Sequence, residues 1–488
     1  MSQEIRNLEP KALWNQFADL NAVPRPSKKE EQVIQFMKDF GNRLGLETFE
    51  DDIRNVIIRK PATPGMENRK PIVLQGHLDM VHQKNNDTVF DFETQGIDMY
   101  VDGDWVRAKG TTLGADNGLG VAAIMAVLES TDIPHPAIEA LFTIDEETGM
   151  TGALNLQGGI LQGQILLNLD TEEDDEIDIG CAGGIDVTAT AEYDEEDTPE
   201  GSVGYSITVK GLQGGHSGMD IHKGLGNANK IMNRLLFDGF DNFGLQIASI
   251  AGGSLRNAIP RESVAKVIIA AVYDEAFVFD MQQIVNEIKT EFKTTEPNLE
   301  IVFEKLTEVP AKVMPSIAQF YFVRSMYTAH NGVYRMSADF DNLVETSNNI
   351  AKVIVGEGQL TVQCLTRSSV ESSKMDLANA LRSAFELMGC EVEFSGVYPG
   401  WTPNPKSEIL DVLVGIYEKQ NNAKPNVVAC HAGLECGILG TNYPEMDMIS
   451  FGPTIHGAHS PDERASIPSS QKFWKFFLEI LASIPAVK

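Results

Sequence analysis

The chain has 488 residues, too many for one ordinary hydrophobic core, so two or more domains are expected. Hydrophobic residues at 42% and charged residues at 22% fit a soluble globular protein, and no run of eighteen apolar residues marks a membrane span. The formal net charge of −31 argues against nucleic acid and anionic membranes as partners, because both need basic surface.

Residues 9–46 read as helix, with Leu13, Trp14, Phe17 and Leu20, then Val33, Ile34, Met37 and Phe40, at helical spacing. Pro24 and Pro26 split this region into two helices. Strand patterns follow at residues 55–59 and 72–76, a helix at 118–128, a strand at 139–144 and an apolar run at 165–169. This alternation predicts an α/β domain with a largely parallel sheet.

The acidic stretch 191–204 reads as a solvated connection or surface hairpin. Beyond it, strands at 205–209, 246–251, 263–271 and 299–304 are mixed with helices at 226–236 and 280–292. A strand–strand–helix–strand order then recurs at 348–355, 359–365, 374–388 and 391–394, with a short echo between Val264-Ala-Lys-Val and Asn348-Asn-Ile-Ala-Lys-Val. Residues 186–398 are therefore expected to form an inserted α+β lid domain of two related halves. Pro399-Gly400-Trp401 punctuates the chain, and helices at 407–419, 433–439 and 469–484 with a strand at 446–451 rejoin the first domain, giving catalytic segments 1–185 and 399–488.

The five cysteines, Cys181, Cys364, Cys390, Cys430 and Cys436, form no CxxC and are odd in number, which reads as reduced thiols. Cys430 beside His431 reads as a buried inert thiol rather than a catalytic pair. The opening MSQEIRNLEP lacks the basic start and apolar block of a signal peptide, so a cytoplasmic location is expected.

Five short segments carry the chemistry. Gln75-Gly76-His77-Leu78-Asp79 ends a strand, where alternation lets His77 and Asp79 face one side. A metal-binding imidazole commonly gives its other N–H to a carboxylate, although a plain structural His–Asp hydrogen bond has the same signature. Asp116 in Gly114-Ala115-Asp116-Asn117-Gly118 precedes a helix and alone would read as a cap or turn residue. Asp145-Glu146-Glu147 ends an apolar strand, and three adjacent carboxylates become sensible together when a cation neutralises some of them. Asp170 ends another apolar run, and His456-Gly-Ala-His459-Ser-Pro-Asp-Glu463 follows the last strand.

The order GHLDM, GADNG, DEETG, NLD and GAHSPDE resembles the M20 family of metallopeptidases, with GTTLGADNGLG, KGLQGGHSGMDIHKG and HAGLECG similar to its Xaa-His dipeptidase branch. The resemblance spans essentially the whole chain. It implies a zinc-peptidase-like catalytic domain holding two Zn2+ ions, with Co2+ or Mn2+ as substitutes. Asp116 would bridge the ions, His77 and Asp170 would complete one, and Glu147 and His459 the other; such pairs lie about 3.5–4 Å apart. The family also implies a cis Asp116–Asn117 peptide, Glu146 as general base, and Asp79 as the carboxylate orienting His77. By the same resemblance His216 would stabilise the oxyanion, while Asn257, Arg367 and Gly433 would hold the substrate.

His459 is preferred to His456 because it matches the AHSPDE segment, and His82, His135, His222, His330 and His431 receive no role. The activity implied is hydrolysis of dipeptides, Xaa-His preferred, with a small peptide as substrate and a homodimer implied by the branch. Rival readings are the same chemistry on tripeptides, N-acyl amino acids or carboxypeptidase substrates, a non-catalytic binding protein, and an acidic interaction scaffold.

Overall fold

The structure is a computed structural model that describes residues 3–85, 87–340 and 342–487. Contacts divide the chain into two units, Met1–Gly180 with Pro403–Ala429 and Leu434–Lys488, and Cys181–Thr402 with Cys430–Gly433. The short piece 430–433 groups with the second unit because the Ala182 N–H donates to the Cys430 carbonyl at 2.9 Å and the Ser347 hydroxyl bonds His431 Nε2 at 2.7 Å.

The first unit is built on an eight-stranded mixed sheet, ordered Glu47–Glu50, Val56–Lys60, Ile138–Thr143, Ile72–His77, Ile165–Asn168, Asp447–Ser450, Glu176–Cys181, Asn426–Cys430. The four middle strands, 138–143, 72–77, 165–168 and 447–450, are mutually parallel. Ile72–His77, Ile138–Thr143 and Ile165–Asn168 are buried along their whole length, which is why they read as continuous apolar runs rather than alternating ones. Helices Lys11–Leu20 and Glu31–Arg43 flank the Pro24–Pro26 break.

Helix Ala115–Glu129 is apolar on every side and buried accordingly. Glycine permits its close approach to the sheet. A Cβ on Gly76 would lie 2.3 Å from Asn117 Oδ1, and one on Gly120 would lie 2.3 Å from the Leu169 carbonyl. The helix start is irregular, with non-helical backbone angles at Asp116 and Asn117 and a cis peptide between them. A second, four-stranded sheet, ordered Ile455–His456, Arg464–Ser466, Trp105–Ala108, Met99–Asp102, carries the loop that holds His459.

The second unit contains a sheet ordered Glu300–Lys305, Ser202–Lys210, Ser263–Ala270, Gln246–Gly252, Val344–Gly356, Gln359–Ser368, Gly183–Glu192, Glu391–Tyr398, with Gly332–Met336 paired to 344–356. That order is a palindrome. From the central pair 246–252 and 344–356 outward, each half places its second hairpin strand, its long entry strand and its post-helix strand in the same sequence. The halves match by element order, whereas the short echo aligned strand 263–270 with 344–356, which are not equivalent positions. Helices Ala228–Phe243, Asp274–Glu291, Ser316–Thr328 and Glu371–Glu386 add Leu235, Phe277, Phe322 and Phe385 to a common core. The acidic stretch makes a two-residue ladder, exposed Glu196–Asp197 against Lys312 and buried Val313.

Candidate metal centre and active site

Parallel strands end on one side of a sheet, so the groups following them converge. His77 closes strand Ile72–His77, Asp170 follows strand Ile165–Asn168, and Asp145-Glu146-Glu147 follows strand Ile138–Thr143. Asp145 has φ +51°, a left-handed conformation uncommon for a residue with a Cβ. It is held there by the hydroxyls of Thr148 and Thr151 on its carboxylate and by its own N–H donating to Glu30 Oε1 at 3.2 Å. This turn launches the single helical turn Glu146–Gly149.

Two groups of side chains share one carboxylate. His77 Nε2 lies 3.2 Å from Asp116 Oδ1 and 3.5 Å from Asp170 Oδ1. His459 Nε2 lies 3.2 Å from Asp116 Oδ2 and 3.0 Å from Glu147 Oε2. Within each group one ligand atom per residue lies within 4.8 Å of the others. The two oxygens of Asp116 thus face two different imidazoles. The residues fit divalent cations on a further count: Glu147 Oε1 is buried with no hydrogen-bond partner, which a cation would supply. Imidazole and carboxylate donors are those that zinc accepts.

The charges respond to this crowding. Hydrogen bonds to Asp116 and Glu147 raise His459 to about 11. Burial disfavours charged His77, yet Asp170, Asp116 and Asp79 outweigh it and hold its pKa well above the ordinary imidazole value. Burial pushes Asp170 up to about 6. Burial, against the pull of His77 and with the charges of Asp170, Glu435 and Glu147, holds Glu146 well above the usual carboxylate range. A carboxylate with raised proton affinity suits a general base working near neutrality.

Asp79 is fully buried behind His77, its Oδ1 3.3 Å from Nδ1. The same carboxylate accepts the N–H of Glu146 at 3.0 Å, the N–H of Glu147 at 3.3 Å and the Ser27 hydroxyl at 2.8 Å. It therefore fixes the imidazole and the turn carrying Glu146 together. Glu146 Oε2 stands 4.0 Å from His77 Nε2.

His459 lies beyond the two-residue strand Ile455–His456 rather than directly after Asp447–Ser450. His456 Nε2 lies 3.4 Å from Glu173 and its ring packs against Trp105. His135 bonds the Pro136 carbonyl, and His330 packs on Tyr334.

In the second unit, strand Gly215–His216 pairs with Ala258–Ile259, and the Ser217 N–H donates to the Asn257 carbonyl at 2.8 Å, so His216 and Asn257 share one turn region. His216 Nδ1 accepts the N–H groups of Gly218 and Met219 at 3.2 and 3.1 Å. That leaves the ring proton on Nε2, and burial followed by the charge of Arg367 lowers the pKa, so the ring is a neutral donor. Arg367 is buried, with Nη1 bonded to the Tyr398 hydroxyl at 2.7 Å and Nε without a partner. Among the described residues no carboxylate makes an ion pair with it, although Asp186 feels its charge, an unusual state for a buried cation. Gly433 follows His431 in the segment 430–433 of this unit.

Sequence reasoning missed three buried charged groups beside the centre. Glu463 accepts the N–H groups of residues 113–116, Arg25 reaches the carbonyls of Leu78, Asp79 and Gly114, and Glu435 accepts from Gln75 Nε2 and Thr143 Oγ1 at 2.6 and 2.7 Å. Glu463 lay inside the segment quoted for His459, and its position there was the signal available.

Residues 73–483 match the sequence model described as Peptidase family M20/M25/M40. The cytosol non-specific dipeptidase of Escherichia coli strain K12 is 44% identical over 487 residues, covering 99% of both chains. The crystal structure of aminoacylhistidine dipeptidase from Vibrio alginolyticus superposes with a TM-score of 0.95 at 44% identity, covering 99% of each chain. Aminopeptidase PepT from Bacillus cereus shares the fold at 16% identity and a TM-score of 0.57, over 98% of this chain and 99% of its own.

Proposed function

The chain belongs to peptidase family M20/M25/M40, and from that premise we propose that it is a metallo-dipeptidase that hydrolyses unblocked dipeptides, Xaa-His among the preferred ones. The observation that carries this reading is Asp116, whose two carboxylate oxygens each lie 3.2 Å from a different imidazole while Glu146 stands beside them.

In this reading His77 and Asp170 would hold one zinc ion and Glu147 and His459 a second, with Asp116 available to both. Bound there, the cations would lower the pKa of water toward about 7 and polarise the peptide carbonyl. Glu146 accepts a proton at a carboxylate oxygen from the attacking water and returns it to the leaving amine nitrogen. Asp79 keeps the His77 tautomer with Nε2 free by receiving Nδ1–H. His216 donates from Nε2–H to the developing oxyanion. Arg367 takes the substrate's C-terminal carboxylate, a match for its forked donors and for its unpaired, buried state. Asn257 and Gly433 complete the substrate contacts, and the unit that carries these four residues is assigned the lid role.

The reading places the enzyme in the cytoplasm, in keeping with the cytosolic relative. It also carries a homodimer, as the resemblance to the Xaa-His dipeptidase branch implies.

A panel of dipeptides, tripeptides and N-acetyl amino acids, assayed with and without a chelator, tests the proposal. Chelator-sensitive cleavage of dipeptides, with Xaa-His among the best, is expected. Cleavage confined to N-acetyl amino acids would refute it.

A further inference from the structure

Asp116 sits on the segment Leu113–Asn117, which belongs to no strand and precedes the regular part of its helix. Two buried side chains of opposite charge grip this segment. Glu463 Oε2 accepts the N–H groups of Leu113 and Gly114 at 2.7 and 2.9 Å, and Oε1 those of Ala115 and Asp116 at 2.7 and 3.3 Å. Arg25 Nη2 donates to the Gly114 carbonyl and to Asn21 Oδ1, and Nη1 donates to the carbonyls of Leu78 and Asp79, both at 3.1 Å. Glu463 is 2% exposed and Arg25 1%.

The two grips connect different parts of the centre. Glu463 follows His459 by four residues, and its own N–H donates to the Ser460 carbonyl at 3.0 Å, so it ties the His459 loop to the Asp116 segment. Arg25 ties the same segment to the backbone immediately after His77. Gly114 is held from both sides, by Glu463 at its N–H and by Arg25 at its carbonyl. It adopts φ +68°, and a Cβ there would lie 2.6 Å from Arg25 Nη2, so only glycine admits the guanidinium. Hydrogen bonds to an ionised acceptor are shorter and stronger than neutral ones, and burying two opposite charges together offsets much of the desolvation that either would suffer alone.

We propose that Arg25 and Glu463 are positioning residues, a two-sided clamp that sets Asp116 between His77 and His459 before any cation arrives. This rests on the metal-centre reading above. His459 is the most exposed of the ligand candidates, at 57% for its side chain, and its loop is tied to the Asp116 segment through Glu463, so the His459–Glu147 position depends most on the clamp.

Amide hydrogen exchange on the metal-free wild-type protein tests the clamp directly. The amides of residues 113–116 should be protected like those inside helix Ala115–Glu129, with little gained on adding zinc. Fast exchange that slows only after zinc would overturn the proposal. Zinc titration of metal-free Glu463→Gln and Arg25→Lys adds a second reading. Each should bind at least one ion about 10–100-fold more weakly, the Glu463 variant chiefly at the second step, while keeping wild-type near-ultraviolet circular dichroism. Unchanged affinities at both steps in a folded variant would also overturn it. Should Glu463→Gln not fold, exchange in the wild type decides. A wild-type protein that takes up no zinc would sink the metal-centre reading, whereas the exchange result stands or falls without metal.

Discussion

The backbone N–H of Glu146 donates to Asp79 Oδ1 at 3.0 Å, so the carboxylate behind His77 also anchors the turn that carries the proposed base. Replacing Asp79 with Asn removes the charge and one acceptor while keeping the shape. Asp79→Asn should lose about 10–100-fold in zinc affinity or kcat, the cost typical of a carboxylate behind a metal-bound imidazole. Zinc titration and steady-state kinetics measure it, and wild-type values for both would show that the His77–Asp79 contact is only structural.

Glu146 clusters with His77 and Glu147 but belongs to neither group built around Asp116, which already supply each imidazole with two carboxylates. Glu146→Ala should therefore lower kcat by about 10²–10⁴-fold, as expected for loss of an acid–base group, with bound metal nearly unchanged by elemental analysis. Substantial metal loss would make Glu146 a ligand instead.

Arg367 is buried, bonded to the Tyr398 hydroxyl, and without a carboxylate partner among the described residues. Arg367→Ala should raise KM for dipeptides with a free C-terminus far more than for their C-terminal amides. Equal effects on the two would exclude a carboxylate clamp.

His431, in the second unit, supplies a pH prediction. Burial first, then the neighbouring charge of Arg367, lowers its pKa to about 3, and Ser347 bonds its Nε2. The unfolded imidazole takes a proton below about pH 6.5, and the folded one does not until about pH 3, so stability falls as pH drops through that window. At pH 5 the difference of about 1.5 units amounts to about 2 kcal/mol. In denaturant unfolding, His431→Gln should lose about 2 kcal/mol less than the wild type between pH 7 and pH 5. An identical pH dependence in the two proteins would contradict a neutral buried His431.

The residues brought together around Asp116 were legible because each sits in a short, chemically marked segment. His77 and Asp170 end apolar runs, Glu147 follows such a run, and Asp116 and His459 lie among glycines or beside proline. Glu463 and Arg25 were not legible as partners because they bond backbone groups, which every residue type offers. The recurring element order pointed to two related halves but not to the single palindromic sheet they share, and the letter-level echo paired the wrong strands. Helix Ser316–Thr328 escaped notice because exposed Ile317, Phe320, Tyr321 and Tyr327 blur its apolar stripe. Strand Glu176–Cys181 was hidden behind the acidic run from Glu172 to Glu176.

Crystals grown with zinc and measured across its absorption edge offer the most direct test. Two anomalous peaks are expected, one against His77 and Asp170, the other against Glu147 and His459, with Asp116 touching both. A single peak, or zinc bound away from Asp116, would contradict the account.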